Sequence, residues 1–515
     1  MRYRWAMLAA TAVTCTGVLT SASAFAAPAA LAARTAASGT WGAVAEVPGS
    51  SALNAGAHAA IASVSCPSAG NCGAGGYYAS GKEANGTPIT QAMVVTESGG
   101  QWGTALEVPG IATLNAKGAA AVTSISCSAP GDCSAGGQYT DASGRSQAFV
   151  VTETGGTWGT AAKVPGTAAL NLRKPGSEVL SVSCAAAAKP GDCSAGGVYT
   201  DAASKQQAFV ATETGGKWHA AQEVPGTATL NAGGDAEITS VSCAAAGDCG
   251  AGGLYASSST DGIPAVQALV VTETGGTWGT AQEVPGSATL NGGGYAQITS
   301  VSCTAVGDCA AGGQYTNSAS GTEPFVVSQT GGAWGAATEV SGVQALNSAG
   351  LAQVSSVSCA SPGDCAATGI YMDANFDSQA FVVDSSGGVW GTGQEIPGTA
   401  ALDEGSPGAT AVSVSCGAAG DCSLGGSYYA HTSGIEQAFV ASETGGIWAA
   451  AQQLPGAAVL SPGQSAAIES VSCPSAGNCG AGGYYPGPPS GQQAFVADET
   501  PVPSAAGGST RRTTP

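Results

Sequence analysis

The side chains that could do chemistry in this chain of 515 residues are mostly carboxylates. The chain has 34 Asp and Glu against 14 Lys and Arg, and its three histidines, His58, His219 and His431, lie in unrelated surroundings. No HExxH, phosphate-binding loop or nucleophile-elbow pattern occurs, so metalloprotease, nucleotide and serine-hydrolase chemistry find no support. Paired carboxylates, the groups that cleave glycosidic bonds, are the one class of catalytic group present in quantity.

The cysteines are a second regular set. After Cys15, sixteen form eight close pairs, of which seven enclose five residues and one encloses eight. Each pair brackets a turn with Gly-Asp or Gly-Asn, and a zinc site would need further Cys or His nearby. In an exported protein this pattern predicts a disulfide across each hairpin. The predicted pairs are Cys66–Cys72, Cys127–Cys133, Cys184–Cys193, Cys243–Cys249, Cys303–Cys309, Cys359–Cys365, Cys416–Cys422 and Cys473–Cys479.

The Asp of these turns, as in Asp132, Asp248 and Asp308, is expected to cap its own turn. Calcium is the alternative, but calcium needs a cluster of oxygen ligands, which one acid per turn does not supply. We therefore predict no metal site and no cofactor.

The N-terminal segment has the features of a secretory signal. Arg2 and Arg4 precede an apolar run, and Ala22-Ser23-Ala24 forms a cleavage site. We expect a signal peptide over residues 1–24, an Ala-rich linker over 25–38, a folded domain over 39–500 and a disordered tail over 501–515. The product is then secreted and extracellular. A formal net charge of −20 argues against nucleic acid and membrane partners.

Internal repetition sets the fold class. Eight tryptophans recur 56 to 61 residues apart, and each unit offers four short apolar runs, of the types "TW", "SVSC", "AGGxY" and "QAFVV". Four strands in such a unit are typical of a propeller blade. Small residues suit the crowded inner strands, and "AFVV" suits a strand buried on both faces. The tryptophans are Trp41, Trp102, Trp158, Trp218, Trp278, Trp334, Trp390 and Trp448.

The two ends of the repeat array are offset by one strand. The array begins with a Trp strand, Thr40 to Val47, and ends with a third strand, Gln493 to Glu499, that lacks a Trp strand after it. The N-terminal strand can thus complete the last blade. The predicted fold is all-β: an eight-bladed β-propeller of four-stranded antiparallel blades, closed by that strand and expected to be a monomer.

The phrase "ETGGTW", which starts at Glu153 and again at Glu273, resembles the Asp-box or BNR repeat of sialidase-like propellers. The match is degenerate, since Glu replaces the motif's Asp, and Gln329 and Ser385 depart further. The resemblance implies a structural turn between the third and fourth strands, away from any active site. By the same reasoning the carboxylate would accept backbone N–H bonds in the turn while Trp packs between blades.

Sialidase activity itself is not expected. Sialidases use three arginines with a Tyr nucleophile and acidic partners, but the propeller body contains only Arg145 and Arg173. The Glu that recurs in the Trp strand, as at Glu223 and Glu283, is interpreted as protection of an exposed blade edge. The recurring Leu-Asn, as at Asn115, is interpreted as a turn cap.

The variable segments point to a binding face. The disulfide turns and the Asp-box-like turns share one face and hardly vary, whereas the loops after the second strands and the blade connections vary on the other face. Neutral drift of exposed loops would produce the same pattern. We predict a ligand-binding arc on two adjacent blades, at Tyr371, Asp373, Asn375, Phe376, Asp377, Tyr429 and His431.

The predicted function is a non-catalytic scaffold that binds an extracellular carbohydrate or protein through the variable-loop face. The alternatives are a divergent glycoside hydrolase or lyase that uses loop carboxylates, and a purely structural extracellular protein. Enzyme and binder would differ in whether two acids converge at the spacing of glycosidases.

Overall fold

The computed structural model describes residues 39–186, 191–257, 265–403, 408–430, 434–460, 464–487 and 491–501. The predicted signal peptide, the linker and all of the predicted tail except residue 501 lie outside these ranges. Among the described residues no helix is long and apolar enough to cross a membrane.

Eight antiparallel sheets form the eight blades of a β-propeller. In each blade the chain runs from an inner first strand to an outer edge. The first strands are Ala59–Ser68, Ala121–Ala129, Glu178–Cys184, Ala236–Ala245, Ala296–Ala305, Ala352–Ser361, Ala409–Ala418 and Ala467–Ser475, which number blades 1 to 8. The second strands are Asn71–Lys82, Asp132–Thr140, Cys193–Thr200, Asp248–Ala256, Asp308–Thr316, Asp364–Met372, Asp421–Ala430 and Asn478–Gly487. The third strands are Pro88–Ser98, Ser146–Thr154, Gln206–Thr214, Val266–Thr274, Thr322–Thr330, Ser378–Ser386, Ile435–Thr444 and Gly491–Pro501.

The outer strand is broken into two short pieces that both pair with the third strand. Blades 1 to 4 have Gln101–Trp102 and Leu106–Glu107, Thr157–Trp158 and Ala162–Lys163, Lys217–Trp218 and Gln222–Glu223, and Thr277–Trp278 and Gln282–Glu283. Blades 5 to 8 have Ala333–Trp334 and Thr338–Glu339, Val389–Trp390 and Gln394–Glu395, Ile447–Trp448 and Gln452–Gln453, and Gly39–Trp41 and Ala45–Glu46.

A one-turn helix follows each outer strand, which the sequence analysis did not predict. Gly166, with φ of 83°, turns the chain into one such helix, a left-handed conformation that glycine adopts at little cost. Single turns have too few residues for a helical hydrophobic period to be recognised. The helices are Ser50–Leu53, Ile111–Leu114, Thr167–Leu170, Thr227–Leu230, Ser287–Leu290, Val343–Leu346, Thr399–Asp403 and Ala457–Leu460.

Ring closure by the N-terminal strand is confirmed. Gly39 pairs with Pro501 and Trp41 with Glu499, and the second piece pairs Glu46 with Phe495. The third strand therefore runs one residue beyond the predicted boundary at residue 500.

The core lies between blades, as the apolar "AFVV" strands predicted. Each hydrophobic cluster combines side chains of two neighbouring blades, and six third-strand phenylalanines are almost completely buried. The inner strands are small because they approach closely: a Cβ added to Gly76 would lie 2.0 Å from the carbonyl oxygen of Ala60. The phenylalanines are Phe149, Phe209, Phe325, Phe381, Phe439 and Phe495.

Serine hydroxyls join each first strand to the next blade. The backbone N–H of Val301 donates to Ser240 Oγ and that of Cys303 to Ser242 Oγ, both at 2.9 Å. The same pair of bonds recurs around the ring, including blades 8 and 1, where Val64 donates to Ser470 at 3.0 Å. The first strand has no further strand beside it, so these hydroxyls satisfy backbone donors that the sheet leaves unpaired. This explains the recurring "SVSC".

All eight predicted disulfides are present, with S–S distances from 2.00 to 2.08 Å. Such a set is typical of proteins from oxidising compartments. The Asp of these turns was predicted to cap its own hairpin; Asp364 does accept the Ser361 hydroxyl hydrogen at 2.6 Å, but the recurring bond is made to the neighbouring turn. Asp132 Oδ1 accepts the N–H of Gly155 at 2.8 Å, and thus ties the disulfide turn to the Asp-box-like turn beside it. The register of two hairpins decides this bond, which no local pattern shows.

The Glu of the Asp-box-like turn also differs from the prediction. Glu273 accepts hydroxyl hydrogens from Thr212 and Ser194 of the preceding blade, both at 2.9 Å, rather than backbone N–H groups. The packing of Trp between blades is confirmed, since Trp278 Nε1 donates to Thr212 Oγ1 at 3.3 Å. The motif therefore joins neighbouring blades, in agreement with a structural role.

The outer-strand glutamates have a partner that the edge-protection interpretation missed. Glu283 accepts a hydrogen bond of 2.6 Å from the hydroxyl of Tyr255, a buried residue of the second strand. Equivalent Tyr–Glu bonds link Tyr199 to Glu223 at 2.9 Å and Tyr485 to Glu46 at 2.7 Å. The recurring Tyr therefore explains the recurring Glu, because a buried hydroxyl needs a partner.

Asn115 does more than cap a turn. Its side-chain amide donates to the Thr90 carbonyl and to Gln91 Oε1 in blade 1, both at 2.9 Å. Its Oδ1 accepts the N–H of Ala119 at 3.0 Å and of Thr140 at 3.2 Å in blade 2. One buried amide thus joins two blades.

Candidate binding site

The predicted arc begins at the loop after the second strand of blade 6. Asp373 Oδ1 accepts the N–H groups of Asn375 at 2.8 Å and Asp377 at 3.0 Å, which closes the loop on itself. Phe376 stands at its tip with φ of 67° and 73% of its surface exposed. A large apolar ring held in a left-handed backbone conformation and left in solvent is uncommon, so Phe376 stays a predicted contact residue.

Tyr371 is not a surface residue. It is 3% exposed and its hydroxyl donates to Glu395 Oε2 at 3.1 Å, in the structural Tyr–Glu pair of blade 6. Tyr371 occupies the Tyr position of the recurring "AGGxY" run, so its hydroxyl is used inside the blade and the prediction that it contacts a ligand finds no support here. Tyr429 of blade 7 is half-buried. His431 lies outside the described residues.

The structure gathers a different set of polar and aromatic side chains near the propeller axis, on the variable-loop side of blades 7, 8 and 1. Their positions fall on the upper parts of first, second and third strands, or just before a first strand. We call this set the inner cluster; it consists of His58, Tyr77, Glu436, Glu469, Tyr484 and Gln492.

Blades 7 and 8 meet at Glu436. This carboxylate accepts hydrogen bonds from Ser427 Oγ at 2.7 Å in its own blade and from the Tyr484 hydroxyl at 3.4 Å in the next. Tyr429 lies close enough to act on the pKa of Tyr484, so this predicted residue borders the inner cluster. A third-strand acid and a second-strand tyrosine thus meet across two blades.

Blades 8 and 1 repeat the arrangement with Gln492 at the position of Glu436 and Tyr77 at that of Tyr484. The side chain of Gln492 lies close enough to Tyr77 to act on the pKa of its hydroxyl. The imidazole of His58 lies on the ring of Tyr77, with centroids 5.0 Å apart and planes inclined by 51°. Two equivalent pairs therefore lie side by side: an acid with a tyrosine where blades 7 and 8 meet, and an amide with a tyrosine where blades 8 and 1 meet.

Glu469 lies on the first strand of blade 8, between these two pairs. It is solvent-exposed, yet surrounding protein atoms and Glu436 raise its pKa. Burial and the negative charges of Glu436 and Glu469 raise the pKa of Tyr484 as well. The charges that act on these groups come from acids, so Tyr484 is held as a neutral phenol. A nucleophilic tyrosine would need the opposite shift.

A second acidic group lies across the axis, in blades 3 to 5. Burial and neighbouring Glu237 raise the pKa of Glu178 to about 7. Tyr295 donates to Gln297 Oε1 at 2.9 Å, and burial, Glu237 and Asp235 raise its pKa. Polar side chains therefore line both sides of the axis on this face.

Sequence reasoning missed the inner cluster because it examined loops rather than strands. A position-by-position comparison of the repeats carries the signal. Where blades 1 and 8 have Tyr77 and Tyr484, blades 3, 4 and 6 have Val198, Leu254 and Ile370. Where the residue at one strand position differs between blades, the fold does not require a particular residue there.

The opposite face has clefts between blades. One of about 570 Å³ lies between blades 3 and 4 and is lined by Glu213, His219 and Trp278. Another of about 460 Å³, between blades 6 and 7, contains Asp384 and Glu443. Within the described ranges, no group of three or more His, Cys, Asp or Glu is arranged to hold a metal ion.

Comparisons with known proteins add little. No family model matches the chain, and no curated protein matches it. A protein of unknown function from Dyadobacter fermentans is similar at 10% identity and a TM-score of 0.40, over 90% of this chain and 99% of the other. The propeller domain of the trilobed protease of Pyrococcus furiosus has 8% identity and a TM-score of 0.42, over 78% and 99%.

Propellers of the sialidase and neuraminidase type are among the matches. The microbial sialidase Hz136 has 11% identity and a TM-score of 0.36, over 69% of this chain and 73% of the other. An N11 neuraminidase-like protein from a flat-faced bat influenza virus has 10% identity and a TM-score of 0.37, over 91% and 95%. Likenesses at this level carry no argument about what this chain binds.

Proposed function

We propose that this protein is a secreted, non-catalytic propeller that binds an extracellular carbohydrate at the inner cluster. The observation that carries the proposal is the pairing of Tyr484 with Glu436 beside exposed Glu469. Blades 3, 4 and 6 have apolar residues at the position of Tyr484, so the fold does not require a tyrosine there. Eight disulfides and the signal-like N-terminus support an extracellular location.

The chemistry of the cluster suits a sugar. Carboxylate and amide oxygens accept hydrogen bonds from hydroxyls, the Gln492 amide and the tyrosine hydroxyls donate them, and Tyr and His rings offer apolar faces. Sites for small ligands commonly combine such apolar surface with a few placed polar groups. A carbohydrate fits this mixture better than a protein, because six side chains on three adjacent blades make a contact much smaller than the roughly 20–30 residues a side of a stable protein interface.

The tandem tyrosines provide a matched test. Tyr484 and Tyr485 are neighbours in sequence, but Tyr484 belongs to the inner cluster and Tyr485 is buried against Glu46. A glycan array with the mature protein should identify a ligand, and Tyr484→Ala should weaken its binding at least about tenfold, since one lost sugar contact of about 1.4 kcal/mol has that effect. Tyr485→Phe should lower the melting temperature and leave affinity unchanged. Equal affinity in the wild type and Tyr484→Ala would overturn the proposal.

A glycoside hydrolase is the second candidate, because Glu436 and Glu469 bring two acids to one cluster. It predicts release of reducing ends from the bound glycan and loss of that release in Glu469→Gln. The binding proposal instead predicts that the glycan is recovered intact after prolonged incubation. Incubation of the protein with the glycans that bind on the array therefore distinguishes the two functions.

A further inference from the structure

The few basic residues of this acidic chain are not spread evenly. Among the described residues there are eight Lys and Arg, and seven of them lie on blades 2 and 3 or on the connections next to them. Six of the seven lie on or near the variable loops of these blades, whereas Lys217 lies in the Asp-box-like turn of blade 3 and Lys82 lies in blade 1. The six, which we call the basic arc, are Lys117, Arg145, Lys163, Arg173, Lys174 and Lys205.

The arc is continuous because each loop rests on the next. Arg145, in the loop after the second strand of blade 2, donates from Nη1 to the Asn171 carbonyl at 3.4 Å. Arg173, in the following blade connection, donates from Nε to the Ala202 carbonyl at 3.3 Å. Lys205 of that next loop donates from Nζ to the Ala232 carbonyl at 2.9 Å. Basic side chains and blade connections thus alternate around the rim.

The other three residues of the basic arc lie near the same loops. Lys174 Nζ lies so near Gly144 that an added Cβ would be 3.2 Å from it, which places it over the loop of Arg145. Lys163 is close enough to Arg145 that burial and that charge lower its pKa. Lys117, an exposed residue, binds the same loop through its backbone N–H and the Thr140 carbonyl at 3.2 Å.

The acids in these loops are already engaged. Asp141 accepts hydrogen bonds from Ser143, from the backbone of Arg145 and from Gln147, which together lower its pKa to about 2. Asp201 is bound in the same way by the backbones of Ala203 and Lys205. Arg145, Arg173 and Lys205 donate to neutral carbonyls, and Lys117, Arg173 and Lys174 are exposed to solvent. The charge of Lys205 also helps to lower the pKa of Asp201.

We propose that the basic arc is a second interaction surface, which binds an acidic polysaccharide that carries carboxylate or sulfate groups at intervals. Several separate cations along a rim fit repeated anions on one chain better than a single small anion, which would need them to converge. Arginine guanidinium groups match carboxylate and sulfate geometry.

Other polyanions fit less well. The rest of the protein is strongly acidic, and a bilayer or a nucleic acid would bring dense negative charge against it. A polyuronate has a lower charge density and touches only the rim, and the acids of distant blades are screened beyond about 8 Å at physiological ionic strength. The proposal is independent of the inner cluster and holds whether or not that cluster binds sugar.

A charge-matched pair of variants tests it. Binding of fluorescent polygalacturonate to the full mature chain should be weakened about tenfold by Arg173→Gln with Lys205→Gln, the effect of two exposed contacts of about 0.7 kcal/mol each. Lys82→Gln with Lys217→Gln changes the net charge equally and should leave the affinity within about twofold, a change of under 0.5 kcal/mol. Added salt should weaken binding of the wild type more than that of the arc variant.

A measurement on the wild type alone guards against misfolded variants. Bound polygalacturonate should protect Lys174 and Lys205 from acetylation, as read by mass spectrometry, and leave Lys217 reactive. Neutral dextran should protect none. Equal protection of Lys217, or tighter binding to phosphatidylserine vesicles or to duplex DNA than to polygalacturonate, would overturn the proposal.

Discussion

The indole N–H of Trp448 donates to both carboxylate oxygens of Asp384, at 3.2 and 3.1 Å, across the boundary between blades 7 and 6. Trp102 meets Asp498 in the same way between blades 1 and 8. At most other boundaries the indole partner is a hydroxyl, as for Trp278 and Thr212. Two of the eight boundaries therefore hold a partly buried carboxylate where the repeat prefers Thr or Ser.

The extra carboxylate stands beside the Glu of the Asp-box-like turn. Glu443 is 5% exposed, and burial, followed by the charges of Asp384 and Asp421, raises its pKa to about 8. Glu97, beside Asp498, has its pKa raised to about 7 by the same causes. Each of these glutamates thus keeps a proton in the folded protein that it loses in the unfolded chain near pH 4.5.

This protonation predicts how stability depends on pH. Between about pH 4.5 and 8 the folded state binds more protons at Glu443 than the unfolded state, so the free energy of unfolding should fall as pH rises through this window. Asp384→Ser removes the negative charge that, after burial, does most to raise the pKa of Glu443. The free energy of unfolding should therefore fall less steeply with pH in this variant. Melting temperatures of both proteins from pH 5 to 9 measure the difference.

A variant that adds a carboxylate at another blade boundary provides the control. Ser442 accepts the indole hydrogen of Trp41 and itself donates to Glu499 at 3.0 Å. Ser442→Asp should place a second carboxylate beside Glu499 and make the fall in stability with pH steeper. Parallel pH profiles for the wild type, Asp384→Ser and Ser442→Asp would show that these pairs do not set the dependence.

The fold could be predicted from sequence because its causes recur every blade. Trp spacing, the paired cysteines and the apolar "AFVV" runs report burial that each blade must repeat, and the one-strand offset reports closure. Contacts between blades could not be predicted in the same way. Two examples are the bonds of Glu273 to Thr212 and Ser194 and the bond of Asp132 to Gly155. These bonds depend on how neighbouring strands and sheets are aligned, and the local sequence pattern does not contain that information.

The candidate site was harder for a related reason. Loop variation pointed to the face of the blades that also carries the inner cluster, but it did not show that Phe376 is exposed and Tyr371 is buried. Tyr77 and Tyr484 lie in second strands, which a comparison of loops does not examine. Only the geometry of three blades brings them together with Glu436 and Glu469.

The turn glutamate should contribute to stability without affecting binding. Glu273→Ala leaves the hydroxyls of Thr212 and Ser194 without their acceptor, and should lower the free energy of unfolding by about 1–3 kcal/mol. Glu273→Gln should cost less, because Gln329 fills the equivalent position in blade 5 and donates to Thr272 at 2.9 Å. Chemical denaturation measures both, and reduced glycan affinity in either variant would contradict the separation of framework and binding face.

The serine hydroxyls of the inner strands make a similar prediction. Ser242→Ala removes the acceptor of the Cys303 N–H, and should lower the free energy of unfolding by about 1 kcal/mol, the usual net worth of one hydrogen bond. Ser318, an exposed loop residue, supplies the control: Ser318→Ala should stay within about 0.5 kcal/mol of the wild type. If the two variants have the same denaturation midpoint, water replaces the Ser242 hydroxyl without loss of stability.

Removal of the N-terminal strand should destabilise the whole ring. Residues 39–46 pair with the third strand of blade 8 and place Trp41 in the cluster that it shares with Val440 and Phe495. Their deletion exposes that cluster and a strand edge at the point where the first and last blades meet. Because blade 8 packs against both neighbours, the loss should lower the melting temperature in a single cooperative transition, whereas a linear array would lose only its end. A peptide of residues 39–46 added in excess should restore part of the stability by mass action, and a scrambled peptide should not. A truncated protein that melts like the intact chain would mean that the strand does not hold the ring closed.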